Sequence, residues 1–293
     1  MSRVTLDHLP TLPRRRADSH KGDYGRVLVI GGSRGMSGAV CLAAKAALRG
    51  GAGLVRAAVP VGILPIVAAY EPSYLTAGLS EDDDGRTSNK SRPRIAELVA
   101  AHDVVALGPG LGRSADLDEL VTWLYADLER PLIVDADALN VLADRRNLSE
   151  SPRGVRLLTP HPGEFGRLVN RPTADVQMNR RDLAVEFAKR HRIVLVLKGS
   201  ATIVSDGTRV FTNTTGNPGM ATGGSGDVLS GLIAALVAQG LGTYEAAVLG
   251  VYLHGLAGDL AAEQLGETAL IASDLLDWLP PALRTCDTPD QAT

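Results

Sequence analysis

Gly216-Asn-Pro-Gly-Met-Ala-Thr-Gly-Gly-Ser-Gly-Asp-Val-Leu-Ser-Gly231 crowds glycines and one proline ahead of a single acid, Asp227. From Val228 to Gln239 the chain is apolar and small, with helical spacing. A glycine-rich loop that opens a helix aims several backbone N–H groups at one place, and the helix dipole makes that place attractive to anions. A carboxylate at the edge of an anion site is electrostatically misplaced unless it does chemistry. The obvious chemistry is to take a proton from a hydroxyl that attacks a phosphate. The competing reading is a tight turn with Asp227 as a plain N-cap.

Working outward, short apolar strands alternate with helical stretches. Arg26–Gly32, Val55–Pro60, Asp103–Gly108, Pro131–Asp135, Val155–Thr159 and Ile193–Leu197 read as buried strands. Helices are expected over 39–48, 61–69, 95–101, 116–128 and 137–142. A long amphipathic helix is expected over 175–191, and further ones over 228–239, 244–264 and from Ser273, a plausible N-cap. Thr202–Val204 and Arg209–Thr212, joined by Asp206-Gly207, read as a hairpin. Glu81-Asp-Asp-Asp84 and the polar residues to Ser91 read as a solvated loop. Strands alternating with helices mean an α/β fold: a mostly parallel sheet covered on both faces. Most of the unusual residues follow strand C-termini, the edge where open α/β sheets bind ligands.

Composition narrows the function classes. The 293 residues suit one large α/β domain. Aromatics at 4% and a net charge of −3 argue against a nucleic-acid or membrane-surface partner. The only basic run is Arg14-Arg15-Arg16. Cys41 and Cys286 form neither a disulfide framework nor a zinc spacing. Cys41 is expected to be buried. No secretory h-region and no apolar run near a membrane span occur, and a reducing cytoplasm is the expected compartment.

Among chemical motifs, Gly108-Pro-Gly-Leu-Gly112 lacks the full dinucleotide fingerprint, and neither a P-loop nor a G-x-S-x-G elbow is present. Lys198, at a strand end, would suit a nucleotide phosphate as a point charge. His161 sits between Pro160 and Pro162 on a shaped loop and could orient substrate. Glu164 could reach a hydrated Mg2+. Asp135 and Asp137 fit either the cleft or a cap of the next helix.

Together these motifs resemble the ADP-dependent NAD(P)H-hydrate dehydratases of the ribokinase-like superfamily. The resemblance rests on Gly31-Gly-Ser-Arg-Gly-Met-Ser-Gly-Ala39, Gly108–Gly112, Asp135-Ala-Asp-Ala-Leu-Asn140 and Thr159-Pro-His-Pro-Gly-Glu164. Lys198-Gly199 and Asn217–Asp227 complete it, over about Lys21 to Leu279. The family's usual Thr before the last Gly-Asp is Ser225 here.

The resemblance implies a three-layer α/β/α fold and repair of hydrated NADH or NADPH, S-epimer, with ADP as co-substrate (ATP possible) and Mg2+. It implies Asp227 as the base, with Gly223, Gly224, Ser225 and Gly226 as the phosphoryl cradle. Ala39, Gly110, His161 and Asp227 would face the hydrated dinucleotide. Lys198, Gly199, Ser200, Ala201, Thr202 and Gly226 would face the adenine nucleotide. It further implies a homotetramer, to which the apolar helices 244–264 and 36–48 could contribute an interface or, equally, a core. With only some 20 residues before the first motif, the expectation is that a fused epimerase domain is missing and a separate NAD(P)H-hydrate epimerase supplies the usable epimer. The expected division is a polar arm over 1–20, one domain over 21–280 and a mobile tail over 281–293. The alternatives are a ribokinase-like kinase of a small alcohol such as hydroxyethylthiazole, and a non-catalytic nucleotide sensor.

Overall fold

A computed structural model describes residues 9–144, 148 and 152–286. Nine strands form one sheet in the order β3-β2-β1-β4-β5-β6-β7-β8-β9. The strands are β1 (Arg26–Ile30), β2 (Leu54–Pro60), β3 (Leu75–Leu79), β4 (Val104–Leu107), β5 (Leu132–Val134), β6 (Arg156–Leu158), β7 (Val194–Leu197), β8 (Ile203–Ser205) and β9 (Val210–Thr212). Pairing is parallel from β3 to β7 and antiparallel for β8 and β9.

Because side chains alternate across a strand, each parallel strand feeds two cores. Val27 and Val29 join one core and Leu28 and Ile30 the other, and β7 repeats the split with Val194 and Val196 against Leu195 and Leu197. The first core lies under α1 (Ser37–Arg49), α2 (Leu64–Tyr70), α9 (Ser225–Ala238), α10 (Thr243–Leu265) and α11 (Ala272–Arg284). The second lies under α3 (Arg92–Ala100), α4 (Ala115–Asp127), α5 (Ala136–Asp144), α6 (Pro162–Val169), α7 (Thr173–Met178) and α8 (Arg180–His191). These are the three layers expected. Small residues on α1 and α9, such as Ala43 against Gly231, let the two helices pack closely. Both α1 and α10 are core helices: Ala43, Ala44, Leu249 and Leu253 are buried within the chain itself.

Several expectations are corrected. Strand β3 was not anticipated, because Leu-Thr-Ala-Gly-Leu offers a weak pattern at a sheet edge. The stretch expected as one helix over 175–191 is two, broken at Asn179. The polar segment from Glu81 is no free insert. Thr87, Ser88 and Ser91 are buried, and Asp82 accepts hydrogen bonds from Arg86. Leu9 is buried, so the stretch before residue 21 is not wholly a polar arm; residues 1–8 lie outside the described residues. Ile271, not Ser273, is the N-cap of α11. That helix continues through Pro280 and Pro281 to Arg284 with Ala282 buried, past the expected boundary at 280. Residues 287–293 lie outside the described residues. Cys41 is buried as expected.

One charged side chain is structural. Arg156 is fully buried, and its guanidinium donates to the carbonyls of Leu124, Tyr125 and Leu128 at the end of α4. It thereby satisfies the Tyr125 and Leu128 carbonyls, which the helix C-terminus leaves without partners, and adds a second donor to Leu124, which already accepts from the Leu128 amide.

Candidate active site

The glycine-rich loop reaches α9 through Gly224, whose φ of 93° lies in the left-handed region. That conformation favours glycine, and a Cβ there would also displace the tip of Leu42, whose Cδ1 would lie 2.5 Å away. Among the described residues, the amides of Gly223, Gly224, Gly226 and Asp227 have no acceptor. Open donors at the positive end of a 14-residue helix make a site for an anion.

Asp227 is the third residue of α9, and the N-cap is Gly224. The plain N-cap reading of Asp227 is therefore set aside. Its half-buried carboxylate accepts no hydrogen bond from any described residue. Burial, then the nearby Asp135, with Asp137 and Glu164, push its pKa up to about 7; Lys198 opposes the rise. A carboxyl held near neutrality, without a partner, beside open amides is suited to take and return a proton.

Lys198, expected to face a phosphate, is held by carboxylates. Its Nζ lies 2.9 Å from Asp135 Oδ1 and 4.0 Å from Glu164 Oε2. A Cβ built on Gly226 would stand 3.0 Å from the same Nζ, so the ammonium abuts the first turn of α9. The other oxygen of Asp135 accepts from Ser230 Oγ, one turn beyond Asp227. Burial alone would raise the Asp135 carboxyl, but Lys198, Ser230 and Thr159 outweigh it and hold it below its ordinary value. Burial likewise works against the Lys198 ammonium, and Asp135 and Glu164 hold it above its ordinary value. The side chains of Asp135 and Asp137 thus serve the cleft: Asp137 Oδ2 accepts from the Gly112 amide at 2.9 Å.

His161 and Glu164 form a capping box at the start of α6. Nδ1 of His161 accepts from the Gly163 and Glu164 amides at 3.0 and 3.2 Å, and Glu164 Oε2 accepts from the His161 amide at 2.7 Å. An accepting Nδ1 makes the imidazole neutral with its proton on Nε2. Burial, Lys198 and Arg167 hold its pKa down, which favours that form. Residues 162–164, expected as part of a loop, open helix α6.

The other expected residues fall around this centre. Ala39 and Gly110 meet: a Cβ on Gly110, at φ 64°, would lie 3.0 Å from Ala39 Cβ and 2.6 Å from the Met36 carbonyl. Ser33 Oγ donates to the Gly110 carbonyl at 2.9 Å and ties the two loops together. The loop Lys198–Thr202 forms a rim, with Ser200 and Ala201 exposed and Thr202 Oγ1 donating to the Gly199 carbonyl. Ser230 was not anticipated. Its signal was a lone hydroxyl one turn after Asp227 in an otherwise apolar helix.

Among the described residues, no group of three or more His, Cys, Asp or Glu side chains is arranged to hold a metal ion. Glu164 is buried and already accepts from the His161 amide, and the ammonium of Lys198 stands among the carboxylates. The residues present therefore do not fit a directly ligated divalent cation.

Comparison with known proteins gives the family. Residues 27–281 match the family described as NAD(P)H-hydrate dehydratase. The chain belongs to that family. It is 49% identical over 278 residues to a bifunctional NAD(P)H-hydrate repair enzyme of Moorella thermoacetica, covering 94% of this chain and 52% of the relative. The chain thus spans about half the length of the bifunctional relatives it matches. It is 40% identical over 268 residues to an ADP-dependent (S)-NAD(P)H-hydrate dehydratase of Neisseria meningitidis, covering 89% of this chain and 86% of that one. A solved structure of an ADP/ATP-dependent NAD(P)H-hydrate dehydratase from Bacillus subtilis, co-crystallised with ATP and Mg2+, superposes with a TM-score of 0.81. That structure shares 30% identity and covers 97% of this chain and 98% of its own. These family members carry the ribokinase-like α/β fold found here.

Proposed function

We propose that this chain dehydrates the S-epimer of hydrated NADH or NADPH, coupled to cleavage of ADP to AMP and phosphate. The observation that carries this is the pairing of open amides at the α9 N-terminus with Asp227, whose pKa is pushed up to about 7. Asp227 takes the proton of the ring C6 hydroxyl. The oxygen attacks the terminal phosphorus of ADP, the bond from that phosphorus to AMP breaks, and AMP leaves. Charge on the moving phosphoryl group is met by the open amides of Gly223, Gly224 and Gly226 and by the helix dipole, whereas the Ser225 amide, expected in the cradle, donates to the Thr222 carbonyl instead. Phosphate is then a good leaving group. The ring nitrogen lone pair expels it from C6, and loss of a C5 proton restores the dihydropyridine. Water is removed in net terms, with its oxygen carried off in phosphate.

On this reading Ala39, Gly110 and neutral His161 face the hydrated ring and its dinucleotide. The rim Lys198, Gly199, Ser200, Ala201 and Thr202, with Gly226, takes the adenine nucleotide. Mg2+, when present, travels on the nucleotide phosphates and offsets their charge, and Glu164 reaches it only through water. The unusable epimer is converted by an epimerase, and a homotetramer is the proposed assembly. Supplying the hydrate with ADP and with ATP side by side, while following dihydropyridine absorbance, tests the reading. ADP should restore absorbance at the higher kcat/KM. Absorbance that stays flat with both nucleotides would overturn it.

A further inference from the structure

The loop that carries the cradle is held along one face of α10 from end to end. Asn213 Nδ2 donates to the Val251 carbonyl at 3.1 Å, and Thr215 Oγ1 donates to the Tyr252 carbonyl at 2.8 Å. Gly255 lets that contact form, since a Cβ there would lie 2.3 Å from Thr215 Oγ1. Gly258 does the same for Met220, whose Sδ would stand 2.2 Å from an added Cβ. One turn from Gly255, Asp259 accepts from the Gly216 amide at 2.9 Å and from Asn217 Nδ2 at 3.0 Å.

The far end of the loop is held by a single ring. His254 Nε2 lies 2.9 Å from the Ser225 carbonyl and 3.4 Å from Ser225 Oγ. A carbonyl only accepts, so Nε2 carries the proton and the imidazole donates. Burial holds the pKa of His254 down to about 4, which keeps the ring neutral across the working pH range. The Ser225 carbonyl belongs to the first turn of α9, two residues before Asp227. Gly255, Gly258, His254 and Asp259 inside a 23-residue helix weaken its intrinsic propensity, and their contacts with the loop explain them, whereas the third glycine, Gly250, packs against Ile233 of α9.

We propose that His254 and Asp259 are positioning residues for phosphoryl transfer, fixing the two ends of the anion loop so that the open amides and Asp227 are aligned before a nucleotide arrives. Neither touches a reacting atom. The role rests on the reaction proposed above, and it follows from the sensitivity of transfer chemistry to small misplacements. The test uses the full chain with His254→Leu, His254→Gln and Asp259→Ala, each checked for cooperative unfolding above the assay temperature. His254→Leu should lower kcat about 30- to 100-fold with the hydrate KM within about threefold, because Ala39, Gly110 and His161, proposed above to face the hydrate, are untouched. His254→Gln, which keeps an N–H donor, should recover to within about fivefold of the parent chain. Asp259→Ala should lower kcat at least about tenfold. A kcat in His254→Leu within threefold of the parent, or an equal loss in Leu and Gln, would overturn the proposal, the latter by assigning a packing role only. If His254→Leu does not fold, Asp259→Ala decides: kcat within twofold of the parent overturns it. Calorimetric titration with ADP alone separates this proposal from the reaction itself. If the parent chain shows no hydrate turnover, ADP should still bind at least about tenfold more weakly to the two loop-end variants, and unchanged affinity would overturn the positioning role.

Discussion

Replacing Asp227 by Asn should cost activity and add stability, with a pH dependence that identifies the cause. Removing the base should lower kcat about a hundred- to ten-thousand-fold. The stability change follows from the pKa. The carboxyl rises from an ordinary 3.8 to about 7 in the folded chain, through burial and the neighbouring Asp135, Asp137 and Glu164. At 1.36 kcal/mol per pKa unit, the ionised form is disfavoured by about 4 kcal/mol when fully expressed. The sign follows from linkage. Below the unfolded value the group is protonated in both states and no penalty exists. As pH rises through the folded value, the unfolded chain has already ionised and stability is lost. Asn carries no such penalty. Its advantage over Asp should therefore be larger at pH 8 than at pH 5 by about 2–3 kcal/mol, measured by urea unfolding at each pH. A pH-independent change reflects shape alone, so an equal effect at the two pH values would refute the electrostatic reasoning. A catalytic group that costs stability is the usual signature of a site built for chemistry.

Lys198→Ala removes the partner of buried Asp135 and should destabilise the fold by about 3–5 kcal/mol, measured by denaturant unfolding. Because Lys198 lowers the Asp227 pKa, its loss should also move the acid limb of kcat/KM to higher pH than in the parent. In the same variant the nucleotide KM should rise more than the hydrate KM. Arg156→Met leaves the carbonyls of Tyr125 and Leu128 without donors, and should cost about 3–5 kcal/mol without changing kcat in the surviving folded fraction.

The fold was legible in the sequence wherever a strand was buried on both faces. Val27–Ile30, Val104–Leu107 and Val194–Leu197 are continuous apolar runs, and each divides its side chains between two cores. Edge strand β3 was not legible, since Thr76 and Gly78 break its apolar run and no partner covers one side. Helix α6 was hidden by Pro162, read as loop chemistry although proline is at home in a first helical turn. At the site, the glycines and Asp227 could be read because their local chemistry is unusual. Lys198 could be located on the cleft edge but not oriented. Its partners are Asp135, just after β5, and Glu164, in the first turn of α6, 63 and 34 positions away, and only the folded sheet brings them together. His254 carried a faint signal as a polar residue in an apolar helix, but its target, a backbone carbonyl, leaves no trace in sequence.

Phosphorylation of the C6 hydroxyl oxygen is the central step of the proposed reaction. Hydrate carrying a heavy-oxygen label on the C6 hydroxyl, incubated with ADP and the enzyme, addresses this directly by mass analysis of the products. The label should appear in the released phosphate, one atom for each dihydropyridine formed, and Asp227→Asn should form almost none. Label recovered in water, with unlabelled phosphate formed at the same rate, would contradict it.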